Sequence, residues 1–198
     1  MQTRRSTDVL KVVGFDPSLR NWGVAHGLLT PKVTGGFVIT IDKLDIIQPA
    51  ISVGKQIRNN SKDLEAAEQL AKGAWAAAQG ADAVFVEVPH GSQSARAMAS
   101  YGVCIGVLGA LRTSGIPFFE LSEAEVKLAS LGKKDKTTKQ EMITWATQQH
   151  QEVAWPMHQG QLNASKAEHM ADAVAAIHAG IDNKLFRQMV SLLHKKPV

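Results

Sequence analysis

The chain has 198 residues, 44% of them hydrophobic, with 22 Lys and Arg against 18 Asp and Glu and a net charge of +4. That length suits one domain, residues 1–198, with a full core, and the mild basic surplus permits a nucleic-acid partner without requiring one. A single cysteine, Cys104, excludes an internal disulfide framework and a cysteine-based zinc site. No stretch is apolar enough to span a membrane, and the apolar run near the N-terminus is too short for a signal peptide, so a soluble, cytoplasmic protein is expected.

Val9–Phe15 (VLKVVGF) is short, β-branched-rich and closed by Asp16-Pro17-Ser18, which reads as a buried strand. Trp22–Leu29 and Gly36–Ile41 read as two more strands of an antiparallel meander, and Lys43–Lys62 as an ill-defined polar connection. Asp63–Gln79 has helical periodicity and stops at Gly80. Ala83–Val88 is an apolar central-strand run, ended by Pro89-His90-Gly91. Ser92–Thr113 predicts a long helix whose Gly102, Gly106 and Gly109 would allow close packing on a sheet, with Cys104 a buried structural thiol.

Pro117–Leu121 predicts a strand, and Glu123–Leu131 and Lys139–Gln149 two helices around the basic loop GKKDKTTK. Residues Trp155–Asn163 read as a loop, Ala164–Ile181 as a helix and Leu185–His194 as a last one. Three antiparallel strands followed by alternating helices and strands give a mixed α/β class: a five-stranded sheet flanked by helices.

Three acids stand out against this background. Asp16 ends a buried strand, where open α/β sheets place their ligands, although an Asp before Pro is also a common turn cap. Glu87 follows four apolar residues in AVFVEV, and a central strand rarely carries a charge unless it is paired or binds metal; the alternative is an edge strand facing water. Asp172 lies opposite the apolar face of Met170, Ala173, Val174 and Ile177, yet its own neighbours are the small Ala175 and Ala179 rather than the Lys, Glu or Gln of a solvated face. His169 and Glu168, three and four residues earlier, can reach the same place. Such a set can surround one or two hard cations, and two Mg²⁺ ions about 4 Å apart activate water and stabilise the leaving oxygen in phosphodiester hydrolysis.

GFDPSLRNWGVA, VFVEVP and HMADAVAAI resemble, in order and spacing, the motifs of RuvC-type Holliday junction resolvases of the ribonuclease H-like superfamily, over most of residues 9–181. The resemblance implies a ribonuclease H-like fold and a homodimeric endonuclease for branched DNA. It implies Mg²⁺, with Mn²⁺ a substitute, on Asp16, Glu87, His169 and Asp172, which would also be catalytic; His169 is preferred to Glu168 as the fourth ligand. Products would carry a 5′-phosphate and a 3′-hydroxyl. ELSEAEVKLASLGKKDKTTKQEM is similar to the family's passage through a basic loop, which puts Lys127 and Lys139 on DNA or near the chemistry. Lys133, Lys134, Lys136 and Lys139 form a cationic loop suited to phosphates, and an ordinary solvated lysine loop is the plainer alternative.

Arg20 is a further candidate DNA contact, and so is His90, which stands near where relatives carry an inserting aromatic. The turn reads Asp-Pro-Ser rather than Asp-Pro-Gly, which requires Ser18 to keep a negative φ. The long helix, through Met98, Tyr101, Val103 and Leu108, offers a dimer interface or core. Competing readings are a ribonuclease H-like enzyme acting on RNA or an RNA–DNA hybrid, and a junction-binding protein without catalysis. The sugar kinase–actin ATPase group lacks support, because its second phosphate loop is missing here and 198 residues are too few for its two lobes.

Overall fold

A computed structural model describes residues 9–54, 57–134 and 136–193. The sheet is built from β1 (Leu10–Asp16), β2 (Trp22–Pro31), β3 (Phe37–Ile47), β4 (Ala83–Glu87) and β5 (Phe118–Leu121), in the order β3-β2-β1-β4-β5. The first three strands pair antiparallel, and β4 and β5 join parallel to β1. The helices are α1 (Asn59–Ala78), α2 (Ala95–Arg112), α3 (Glu123–Leu131), α4 (Lys139–Gln149), α5 (Ala164–Gly180) and α6 (Lys184–Leu193). The last predicted residue of α6, His194, lies outside the described residues.

Alternation along the strands divides the core into two layers. Val13, Phe15, Val84 and Val86 point to one face and pack with Ala66, Leu70 and Ala74 of α1 and Cys104, Leu108 and Leu111 of α2. Val12, Ala83 and Phe85 point to the other and meet Ala173, Val174 and Ile177 of α5, with α3, α4 and α6 completing that layer. Burial places Cys104 as predicted and pushes its thiol up to about 12, so it is chemically inert.

Three sequence expectations need correction. β3 runs on to Ile47, because Lys43, Leu44 and Asp45 pair with β2 past a bulge at His26 and Gly27. As an outer strand with a solvated face, it lacks the apolar run that marks the central ones. A Cβ on Gly102, Gly106 or Gly109 would meet nothing within 4 Å, so these residues do not bring α2 close to the sheet. Within the expected 155–163 loop, β6 (Met157–His158) and β7 (Gln161–Leu162) form a small hairpin turned by Gln159 and Gly160, both at positive φ.

The close approaches are made by α5 instead. A Cβ on Gly14 would collide with the carbonyl oxygen of Ala173, one on Gly23 with that of His169, and one on Gly180 with the Phe85 ring. Two of these contacts seat the backbone of α5 directly on β1 and β2, which decides where its polar residues fall.

Candidate active site

Asp16 and Glu87 are neighbours because of register. β1 and β4 run parallel with Phe15 opposite Val86, so the next residues, Asp16 and Glu87, leave the sheet side by side at its carboxyl end. Two-residue alternation from Gly14 and Phe85 puts both on the α5 face. Asp172 belongs to the turn of α5 that Gly14 admits, and it lines the same cleft as Asp16 and Glu87. His169 is one turn earlier; its Nδ1 lies 2.6 Å from Asp16 Oδ2.

The electrostatics reflect this crowding. Burial, then the charges of Asp16 and Glu123, push the Glu87 carboxyl up to about 7 against the opposing pull of Lys127. Burial, then Asp16, Glu87 and Glu168, hold the Asp172 carboxyl well above the usual range. Burial lowers His169, but the hydrogen bond and charge of Asp16 outweigh it and the imidazole titrates above its ordinary value.

Basic residues ring the acids. Lys139 Nζ is 2.6 Å from Glu168 Oε1, and Lys127 pairs with Glu123; both lysines line the cleft. His90 also lines it, with Nε2 3.4 Å from Glu123 Oε2. The other candidates sit apart. Lys133 bonds to Glu141, Lys134 and Lys136 are exposed, and none of the three lines the cleft. Arg20 turns away, towards Asp63 of α1. Ser18 has no positive φ, and its hydroxyl accepts from Asn21 N and donates to Asn21 O, closing the turn as Asp-Pro-Ser requires.

Glu123 is the site residue missed from sequence. It lies two residues beyond β5, whose Leu121 is in register with Glu87, so a third strand end delivers an acid to the same cleft. No local sequence signal marked it, because strand register alone brings it to Glu87. Thr138, the N-cap of α4, also lines the cleft beside Lys139.

The sequence matches no family model and no curated protein significantly. The fold does have matches among solved structures. Thermus thermophilus RuvC in complex with a Holliday junction substrate aligns with TM-score 0.63 at 16% identity, over 96% of this chain and 99% of that one. Another Thermus thermophilus RuvC structure aligns with TM-score 0.62 at 16% identity, over 93% and 97%. The yeast mitochondrial Holliday junction resolvase Ydc2 aligns with TM-score 0.56 at 13% identity, over 92% and 81%. The chain therefore has a ribonuclease H-like α/β fold. More narrowly, that fold is like that of the RuvC structures it aligns with over nearly its whole length, in line with the sequence motifs.

Proposed function

We propose that the chain is a metal-dependent endonuclease that cuts branched DNA, four-way junctions foremost. The carrying observation is the convergence of Asp16, Glu87 and Asp172 on one cleft of a RuvC-like fold.

The donor set suits a hard cation: three carboxylates and one imidazole, with a fourth acid, Glu123, beside them. Among the described residues no three Asp, Glu, His or Cys side chains already form a ligand cage, so holding an ion requires the carboxylates to swing together. Burial and mutual repulsion in this cluster are the conditions that a divalent cation relieves. Two Mg²⁺ or Mn²⁺ ions bound there would supply a water of lowered pKa and stabilisation for the oxygen leaving the phosphorus. Asp16 and Glu87 would hold the ions from the sheet, and Asp172 from α5. His169, oriented through Nδ1 by Asp16, keeps Nε2 for coordination or for moving a proton. Lys127 and Lys139 face the phosphates at the cleft wall.

Symmetric resolution needs two active sites, and a homodimer supplies them. The exposed Met98 and Ile105 of α2 offer apolar surface for the contact, whereas Leu108 is core. A strict monomer in sedimentation at micromolar concentration counts against paired cutting.

The test is cleavage of synthetic four-way junctions, flaps, duplexes and RNA–DNA hybrids with Mg²⁺, Mn²⁺ or Ca²⁺. Junction cleavage that Asp16→Asn abolishes while binding persists supports the reading. Unchanged cleavage by that variant sinks it, and cleavage of the hybrid alone moves the enzyme to the ribonucleases.

A further inference from the structure

Arg20 and Arg96 come from the two segments that border the cleft, and both turn onto one carboxylate. Arg20 follows Asp16-Pro17-Ser18, and Arg96 lies in the first turn of α2, just after Pro89-His90-Gly91; members of both segments line the cleft. Arg96 Nη1 and Nη2 donate to Asp63 Oδ2 and Oδ1 at 2.5 and 2.7 Å, and Arg20 Nη2 stands 3.8 Å from Oδ1. The Asp63 side chain is 10% exposed, while those of Arg20 and Arg96 are 44% and 51% exposed.

One arginine would neutralise a buried carboxylate. A second leaves the cluster with a net positive charge and brings two like charges together at a cost that the shared Asp63 carboxylate and solvent offset. Each guanidinium carries five N–H donors. Arg96 spends two on Asp63, and among the described residues Arg20 has no acceptor within hydrogen-bond reach. Half-exposed guanidinium donors and surplus charge therefore meet at Asp63 on the α1–α2 side of the sheet, next to segments that also reach the cleft.

Resting on the nucleic-acid reading above, we propose that Arg20 and Arg96 form a phosphate seat for the DNA backbone on the α1–α2 side of the sheet, away from the acids of the cleft, and that Asp63 is the positioning residue holding the two guanidiniums together. The anion they share in the free protein fixes their spacing; a backbone phosphate then engages the remaining donors as a bidentate partner.

The experiment is junction binding by fluorescence anisotropy in EDTA across a salt series, for the wild type, Arg20→Gln, Arg96→Gln and Asp63→Asn. Each arginine variant should weaken binding roughly tenfold and lower the salt slope by about 0.9; in a separate cleavage assay with Mg²⁺ it should raise KM rather than depress kcat. Asp63→Asn removes a negative charge, so general electrostatics alone would tighten binding. Loss of positioning predicts weaker binding and a shallower slope. Wild-type or tighter affinity for Asp63→Asn with the wild-type slope overturns the proposal. Should Asp63→Asn fail to fold, wild-type affinity and slope in both arginine variants overturn it equally. A wild-type protein that binds no nucleic acid overturns both this inference and the reading beneath it, whereas normal wild-type binding with indifferent variants removes this inference alone.

Discussion

His169 and Asp16 meet across 153 residues of sequence, with Nδ1 of the imidazole 2.6 Å from Oδ2 of the carboxylate. The contact ties the first strand to α5 and sets which imidazole nitrogen points onward. Glu168, the adjacent residue, is instead engaged by Lys139. Replacing His169 with Ala should therefore lower junction cleavage by about 10²-fold or more, the scale of a lost acid–base or ligand group. Glu168→Gln should cost about tenfold, the low end of the range for a supporting residue. Single-turnover rates at saturating junction check the order; a larger loss for Glu168→Gln would reverse the assignment.

The glycine contacts make a sharper structural prediction. Gly23→Ala should destabilise the protein by roughly 1–3 kcal/mol, the range for overpacking, and reduce cleavage, because the added methyl pushes on the backbone that carries His169. Gly106→Ala should leave stability within about 0.5 kcal/mol of wild type or raise it, since a Cβ there meets nothing and Ala is the better helix former. Paired denaturant titrations read both.

The crowded carboxylates should trade stability for activity. In EDTA, Glu87→Gln should raise the melting temperature, since it removes a charge held beside Asp16 and Glu123 and disfavoured by burial. The same variant should abolish cleavage. A lowered melting temperature in EDTA would show that the acids support one another.

Acid should loosen the α4–α5 packing through a second histidine pair. His150 Nε2 lies 2.8 Å from His178 Nε2, while His150 Nδ1 faces Glu152 and Trp145 stacks edge-on against His178. Burial, then the charge of His150, lowers His178 from 6.5 to about 4. The unfolded chain thus binds the proton more readily, and this group's stabilising contribution is full above about pH 6.5 and falls away towards pH 4, by on the order of 3 kcal/mol. Melting temperatures measured from pH 8 to 4.5 should drop more steeply for wild type than for His178→Gln; parallel curves would refute the linkage.

Local signals in the sequence were legible where the residues that set an element lie within it. Ser122 with Glu125 and Thr138 with Glu141 form capping boxes, and α3 and α4 start where those motifs place them. Apolar runs likewise marked β1 and β4, and with them Asp16 and Glu87. What escaped depends on distant partners. The glycines of α2 and those of β1 and β2 look alike in sequence, yet only Gly14 and Gly23 face a helix backbone. Arg20 is basic and near the motif, but Asp63, 43 positions later in the chain, decides its direction. Glu123 has no unusual local context, and only strand register brings it to Glu87.

Because main-chain atoms rather than side chains set the distance between α5 and the first two strands, the site's scaffold is insensitive to the identity of most surrounding apolar residues. A library that randomises Val12, Ala25, Leu29 and Ile177 among aliphatics should yield many active clones. One that admits any side chain at Gly14 or Gly23 should yield almost none, although neither residue touches DNA or metal in the proposed reaction.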